Sequence, residues 1–301
     1  MPRFGPYDIE ALIGKGGMAE VYRATAVEGP HAGRRVALKR LHPELAKDPH
    51  YVELFTAEAD LLRLLHHPNI VTVLDAGMLS GVYYIAMDFI DGRDLGQVLA
   101  RCRHRKIQLP IDFSVFLVKT LLDALDYAHN LVAPSGKALH VVHCDVSPSN
   151  MFISRVGEIM LGDFGIAKVR AFDGSDSGNK VWGKVYYLSP EQLDGTLDPS
   201  ADLWAAAVTL YELLTLERPF GGANADAVGA KIRAGDFVPV TTLRPEVYAP
   251  LAKTLSAALN PDPAKRFTTA RAFSDALLPH FNELIGTPLA IAAVVRGLFG
   301  A

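Results

Sequence analysis

His143-Cys144-Asp145-Val146-Ser147-Pro148-Ser149-Asn150 is followed, thirteen residues after Asn150, by Asp163-Phe164-Gly165. The two segments bring two carboxylates and one carboxamide into a short length of chain. The rest of the composition is that of an ordinary globular protein: half of the 301 residues are hydrophobic and 21% are charged. That length is enough for a large core in one bilobed domain or two small domains. A net charge of -3 with an isoelectric point near 6.4 makes no electrostatic case for a nucleic-acid-binding protein. Two cysteines, Cys102 and Cys144, cannot form a disulfide framework, and a reducing, cytoplasmic compartment is expected. No signal peptide is visible after Met1. The apolar stretch from Leu284 to Phe299 is interrupted by Pro288 and Arg296. It is shorter than the ~20 residues of a spanning helix, so an amphipathic helix packed on the domain is expected.

Periodicity divides the chain. Ala11–Ala24 alternates around a glycine-rich turn, Arg35–Leu41 reads as a short aliphatic strand, and Ile70–Asp75 and Val82–Phe89 read as two further strands flanking Ser80-Gly81. A helix is expected over His50–His66, stopped by Pro68, with Phe55, Leu62 and Leu65 on one face. Glu58 lies on that same face, where a carboxylate is costly unless paired. Lys39, flanked by Ala37 and Leu38, is its candidate partner. On these residues alone, a solvent-facing Lys39 and a Glu58 at the helix edge stand equally well. From Asp91 onward helical patterns dominate, including Asp112–Asn130 and a nearly all-round apolar helix over Asp202–Leu216, which belongs in the centre of a helical lobe. The expected class is α+β: a small β-rich lobe over 1–90, a larger helical lobe over 91–280 joined at Phe89–Gly92, and a helical extension over 281–301.

Gly14-Lys15-Gly16-Gly17-Met18-Ala19-Glu20-Val21 sits between two strand patterns. Glycines let backbone amides approach phosphate oxygens with no Cβ in the way. Alone, the turn is equally an ordinary hairpin. Here it is followed in order by Lys39, Glu58, the His143–Asn150 loop and Asp163. That ordered set resembles the bacterial eukaryotic-like (Hanks-type) serine/threonine protein kinases over about Tyr7 to His280.

The resemblance implies the bilobed kinase fold, ATP and Mg2+ (or Mn2+) as the phosphoryl donor and its counter-ion, and protein substrates. It implies that the Gly14–Val21 loop, entered from Ile13, covers the phosphates, with Ala19 where the family has a third glycine. Val21, Ala37 and Phe152 would flank the adenine, and Met87 would stand as gatekeeper. Asp88 and Ile90 would offer backbone groups, and Asp94 a carboxylate to the ribose. Lys39 would hold the phosphates and pair with Glu58. Asp145 would accept the proton of the attacking hydroxyl, while Asn150 and Asp163 hold the metal ions that neutralise the phosphate charge. Glu191, in Ser189-Pro190-Glu191, would pair with Arg266, and Asp202 would hold the catalytic-loop backbone. Leu62, Leu74, His143 and Phe164 would form an apolar column.

Two positions of the His143–Asn150 loop, Ser147 and Cys144, depart from the family pattern. Ser147 stands where a lysine is usual, while Lys184 stands where a later threonine is usual. An exchange of roles is expected, with Lys184 supplying the cation and Ser147 the hydroxyl; the alternative is a solvated Lys184 and a weakened site. Cys144 replaces the arginine that commonly pairs with a phosphorylated activation loop. Control by phosphorylation, with Ser175 and Ser177 as the candidate acceptors, is therefore expected to be weak or absent. A redox role for Cys144 ranks lowest. The expected function is phosphorylation of serine and threonine in proteins, including self-association for autophosphorylation, in a signalling role without nucleic acid or membrane segment. The alternatives are a pseudokinase serving as a nucleotide-binding scaffold and a small-molecule kinase of related fold.

Overall fold

The computed structural model describes residues 2–164 and 185–300. Backbone proximity separates them into two units, residues 2–91 and residues 92–164 with 185–300. The first is β-rich with one long helix and the second is mainly helical.

The first unit is built on a six-stranded antiparallel sheet ordered β1-β2-β3-β4-β6-β5. Its strands are β1 (Arg3–Phe4), β2 (Tyr7–Lys15), β3 (Ala19–Ala26), β4 (Arg35–Leu41), β5 (Val73–Leu79) and β6 (Val82–Asp88). Helix α1 (Pro49–Leu62) enters between β4 and β5. Alternation along β4 sorts the two faces. Val36 and Leu38 are buried with Tyr7, Ile9, Ala24, Tyr84 and Ala86 in a core on one side. Ala37 and Lys39 point the other way, and the register pairs Val21 with Lys39 and Ala37 with Met87. Directly opposed residues share a face, so these four line the second side.

β4 has the expected limits, whereas β5 begins at Val73 rather than Ile70 and carries a register shift between Val73 and Asp75. Val73 lies opposite Met87, so the pleat sends Leu74 to the other face. There Leu74 packs on the Tyr7–Tyr84 core. Helix α1 starts with Pro49 in its first turn and is capped by the Asp48 side chain, which accepts from the His50 N–H at 2.9 Å. It stops four residues short of His66. Residues 64 and 65 tighten into Leu64 N–H to Leu61 O and Leu65 N–H to Leu62 O bonds. The residue before Pro68 is kept out of helical backbone, so the chain leaves the helix before reaching it.

The second unit holds helices α2 (Leu95–Arg105), α3 (Ile111–His129), α4 (Pro190–Leu193), α5 (Pro199–Thr215), α6 (Ala225–Ala234), α7 (Val240–Leu243), α8 (Ala249–Ala258), α9 (Ala270–Leu277) and α10 (Pro288–Phe299). A small antiparallel sheet, β7 (Gly92–Asp94), β8 (Met151–Ser154) and β9 (Ile159–Leu161), carries the edge of the catalytic loop. Helix α5 is buried at every position from Ala201 to Thr215. It begins a turn earlier than its apolar pattern suggests. Asp198 caps it by accepting from Ser200 N–H at 2.7 Å, and Pro199 occupies the first turn. The same chemistry resolves the tail. Pro288, which interrupts the apolar run in sequence, is the first residue of α10 after the Thr287 cap, where a missing N–H is no loss. Ile291, Ala292, Val295 and Leu298 are buried. Among the described residues no helix is long and apolar enough to cross a membrane.

Candidate active site

In the first unit the glycine-rich segment is the turn between β2 and β3. Gly14 pairs with Val21 and Lys15 with Glu20 across the hairpin. The Gly16 N–H closes the turn on Ala19 O at 2.8 Å. A Cβ on Gly16 would come within 3.3 Å of that oxygen, so the turn favours glycine there. Ala19, in place of the family's third glycine, is buried inside β3. The turn is also tied to the end of β4: His42 N–H donates to Met18 O at 2.9 Å, and its Nε2 lies 3.0 Å from Gly16 O. Ile13 and Gly17 are exposed.

Lys39 Nζ lies 2.6 Å from Glu58 Oε1, with the two side chains 16% and 4% exposed. The carboxylate on the apolar stripe of α1 is therefore paired across to the cation on β4. Met87 is buried opposite Ala37, next to Lys39 on the shared face. Asp88 contributes its N–H to Thr72 O at 3.0 Å and its carboxylate to Arg34 at 2.5 Å, so the N–H is already committed within the unit. Ile90 is half-buried.

In the second unit the catalytic loop hangs from α5. The Asp202 carboxylate, 1% exposed, accepts the consecutive N–H groups of His143 (2.8 Å) and Cys144 (2.9 Å) and meets His129 Nε2 at 2.9 Å. His143 Nδ1 accepts the Asp145 N–H at 3.2 Å, and its Nε2 is 3.1 Å from Gly162 O. Those bonds require a neutral ring protonated at Nε2. Burial agrees, holding the imidazole pKa below its usual value. The His143 ring packs on Phe164 with centroids 4.4 Å apart.

Asn150 Nδ2 donates to Asp145 O at 2.7 Å and to Asp145 Oδ2 at 3.1 Å. The amide thus orients the carboxylate and turns its own oxygen away from it. Gly162 N–H donates to Asn150 O at 2.9 Å, bringing the Asp163 strand end beside the loop. Cys144 and Asp163 both adopt positive φ, 64° and 51°. A non-glycine residue there carries backbone strain that the surroundings must hold. Burial, followed by the Asp202 and Asp145 charges, pushes the Cys144 thiol well above its ordinary pKa, which keeps it protonated and argues against a redox role.

Ser147 is 2% exposed, and its Oγ lies 3.0 Å from Ser149 Oγ and 3.5 Å from Asp145 O, so its hydroxyl is held within the loop. Lys184, Ser175 and Ser177 lie outside the described residues. Asp94 caps α2, accepting the Gln97 N–H at 2.8 Å, and stands opposite Phe152 across β7 and β8. Burial raises the Asp94 pKa.

Arg266 grips Glu191 with two bonds, Nη1 to Oε1 at 2.7 Å and Nη2 to Oε2 at 2.8 Å, and Ser200 Oγ adds a third at 2.7 Å. Burial alone would raise the Glu191 pKa, but these donors override it and hold the carboxyl below its usual range. Ser189 caps the short α4 in a reciprocal capping box with Gln192. One buried junction has no counterpart in the sequence reasoning. Glu212, 1% exposed on α5, accepts from Tyr187 Oη and from Arg103 Nη2, the latter at 2.6 Å. A lone glutamate within an all-apolar helix is the signal that points to it.

The donor chemistry fits a metal that arrives with phosphate. Asn150 and Asp163 offer hard oxygens, and among the described residues no cluster of three or more His, Cys, Asp or Glu could hold a metal by itself. Magnesium is ordinarily bound by one or two carboxylates together with substrate phosphates.

Residues 7–278 match the protein kinase domain family. The chain is 36% identical over 303 residues to a protein named tyrosine-protein kinase MasK from Myxococcus xanthus, covering 99% of this chain and 46% of that protein. It is 33% identical over 269 residues to the serine/threonine-protein kinase PrkC of Bacillus subtilis, covering 88% of this chain and 39% of that protein. Among solved structures it is similar to the PknI kinase domain of Mycobacterium tuberculosis, with 30% identity, a TM-score of 0.67 and coverage of 93% and 97% of the two chains. The chain spans less than half the length of the two curated relatives. With this match over nearly the whole length, the chain belongs to the protein kinase domain family, in its bacterial eukaryotic-like form.

Proposed function

We propose that the chain transfers the γ-phosphate of ATP to serine and threonine hydroxyls of proteins. The observation that carries this reading is the Lys39–Glu58 pair at 2.6 Å. A lysine held by a buried carboxylate beside a glycine-rich turn is suited to receive phosphate charge. The hydroxyl oxygen of the substrate forms a bond to the γ-phosphorus, and the bond from that phosphorus to the β–γ bridging oxygen breaks. ADP leaves with that electron pair, and the hydroxyl proton passes to Asp145, whose carboxylate Asn150 keeps oriented. Asn150 and Asp163 would hold magnesium, which supplies charge neutralisation at the phosphates. The Gly14–Val21 turn, Ala37 and Met87 in one unit and Asp94 and Phe152 in the other are the proposed nucleotide contacts. Transfer between copies of the chain and a cytoplasmic location are part of the same reading, the latter resting on the low cysteine content.

Tyrosine specificity is the second reading, favoured by the name of the MasK relative. Incubation with labelled ATP, magnesium and a generic protein, beside an Asp145→Asn control, tests both readings. Label on phosphoserine and phosphothreonine is expected. Label confined to phosphotyrosine overturns the specificity, and label no greater than the control overturns the activity.

A further inference from the structure

Asp94 and Phe152 stand directly opposite each other in the β7–β8 pair, as do Arg93 and Ile153 one residue along. Successive strand residues point to opposite faces, so Arg93 and Ile153 present the reverse side of the two strands that carry the proposed ribose and adenine contacts. Helix α10 occupies that reverse side and is fastened at both ends. At its start, the Pro288 carbonyl presses on the β8–β9 turn. A Cβ on Gly157, which has φ of +90°, would fall 1.9 Å from that oxygen, so only glycine admits this approach.

At its end, Arg101 Nε donates to Leu298 O at 2.9 Å, and Arg105 Nη1 donates to Gly297 O at 2.9 Å and Leu298 O at 3.0 Å. The Arg93 and Arg101 guanidiniums lie 5.1 Å and 5.9 Å from the Phe299 ring centroid. The last carbonyls of a helix lack internal donors and carry partial negative charge, so these arginines answer the end of α10 chemically as well as sterically. Both arginines that hold it by hydrogen bonds lie on α2, whose first turn is capped by Asp94 itself. Helix α2 is thus tied to Asp94 at one end and to α10 at the other.

We infer that α10 is a brace for the nucleotide-binding edge of the second unit. Arg93, Arg101, Arg105, Gly157 and Phe299 are positioning residues that hold Asp94 and Phe152 in place from behind. The inference rests on the proposed nucleotide role of Asp94 and Phe152. A helix that merely completed the core would affect stability and leave ligand affinity alone.

The test uses the full chain and a fluorescent ADP analogue with magnesium, a readout that needs no phosphoryl transfer. Arg101→Ala with Arg105→Ala, and Phe299→Ala separately, are expected to weaken nucleotide binding about fivefold. The protein-substrate KM should stay within about twofold of the parent. Arg101→Lys with Arg105→Lys should retain part of the affinity, since an ammonium can donate to the same carbonyls. Should the double variant fail to fold, Arg93→Ala on the exposed surface of β7 keeps the test available. Lowered melting temperature with nucleotide affinity unchanged overturns the brace alone. Absence of nucleotide binding in the parent chain overturns both the brace and the function it rests on.

Discussion

Replacement of Lys39 by methionine keeps the length of the side chain and removes its charge. The structure sets the consequence. Glu58 is left with a side chain only 4% exposed and without the cation that lies 2.6 Å away in the parent. Removing one partner of a buried pair destabilises by about 3–5 kcal/mol. Lys39 retains 16% exposure, so the lower end, about 3 kcal/mol, is expected. At about 2–4 °C per kcal/mol for a domain of this size, the melting temperature should fall by roughly 6–12 °C. Combining Lys39→Met with Glu58→Leu removes the orphaned carboxylate, and an apolar pair of similar volume is commonly no worse than the ion pair. The double variant should therefore recover to within about 1 kcal/mol of the parent. Neither variant should transfer phosphate, because the phosphate-binding cation is absent from both. Thermal melts and single-turnover labelling measure the two effects separately. Equal destabilisation in the single and double variants would refute the argument that Glu58 depends on Lys39. Normal transfer by Lys39→Met would refute the role of the cation.

Further predictions concern the second unit. Arg266→Leu should destabilise by about 3–5 kcal/mol, and Arg266→Lys should rescue little because an ammonium cannot make the two-pronged bond to Glu191; urea melts distinguish the two. Because the Glu191 pKa is lowered on folding, its contribution is fully present above the ordinary value of 4.5 and is lost as pH falls through the folded value. The stability gap between the parent and Glu191→Gln should accordingly narrow on acidification below that value. The His143 pKa is also lowered from 6.5 on folding, so the unfolded chain binds a proton that the native loop refuses. Stability should decline as pH drops below 6.5, and His143→Phe should flatten that part of the curve in urea titrations. Cys144 should resist iodoacetamide at about pH 8 in the native protein and react once denaturant is added, as mass spectrometry would register.

Much of this was legible in the chain because it depends on short-range pattern and charge pairing. Arg35–Leu41 reads as a short aliphatic strand and forms one with those limits. Glu58 on an apolar stripe left a paired and an unpaired Lys39 equally open, and the pair is present. Asp202 and the Glu191–Arg266 pair came through resemblance, and their bonds are present. What escaped depends on register or on distant partners. Leu74 is the extra residue at the register shift of β5, between the Val73–Met87 and Asp75–Ala86 pairs, a local irregularity that alternation alone does not signal. Glu212 stands out in the apolar pattern of α5, but its partners Arg103 and Tyr187 lie 109 and 25 residues away. Pro288 has opposite meanings within a helix and at its first turn, and only the Thr287 cap tells them apart. The exchange expected between Lys184 and Ser147 turns on a segment outside the described residues.

The Asp202 carboxylate that receives two successive amides of the catalytic loop also joins that loop to α5 as one cooperative opening unit. The His143 and Cys144 amide protons can reach solvent only when the grip of a 1%-exposed side chain at the start of the deepest helix is released. Hydrogen exchange at those two amides should then be as slow as in the interior of α5 rather than at the pace of a surface loop. Heat inactivation would, on the same grounds, follow the melting of that helix, with no earlier step in which the loop alone lets go.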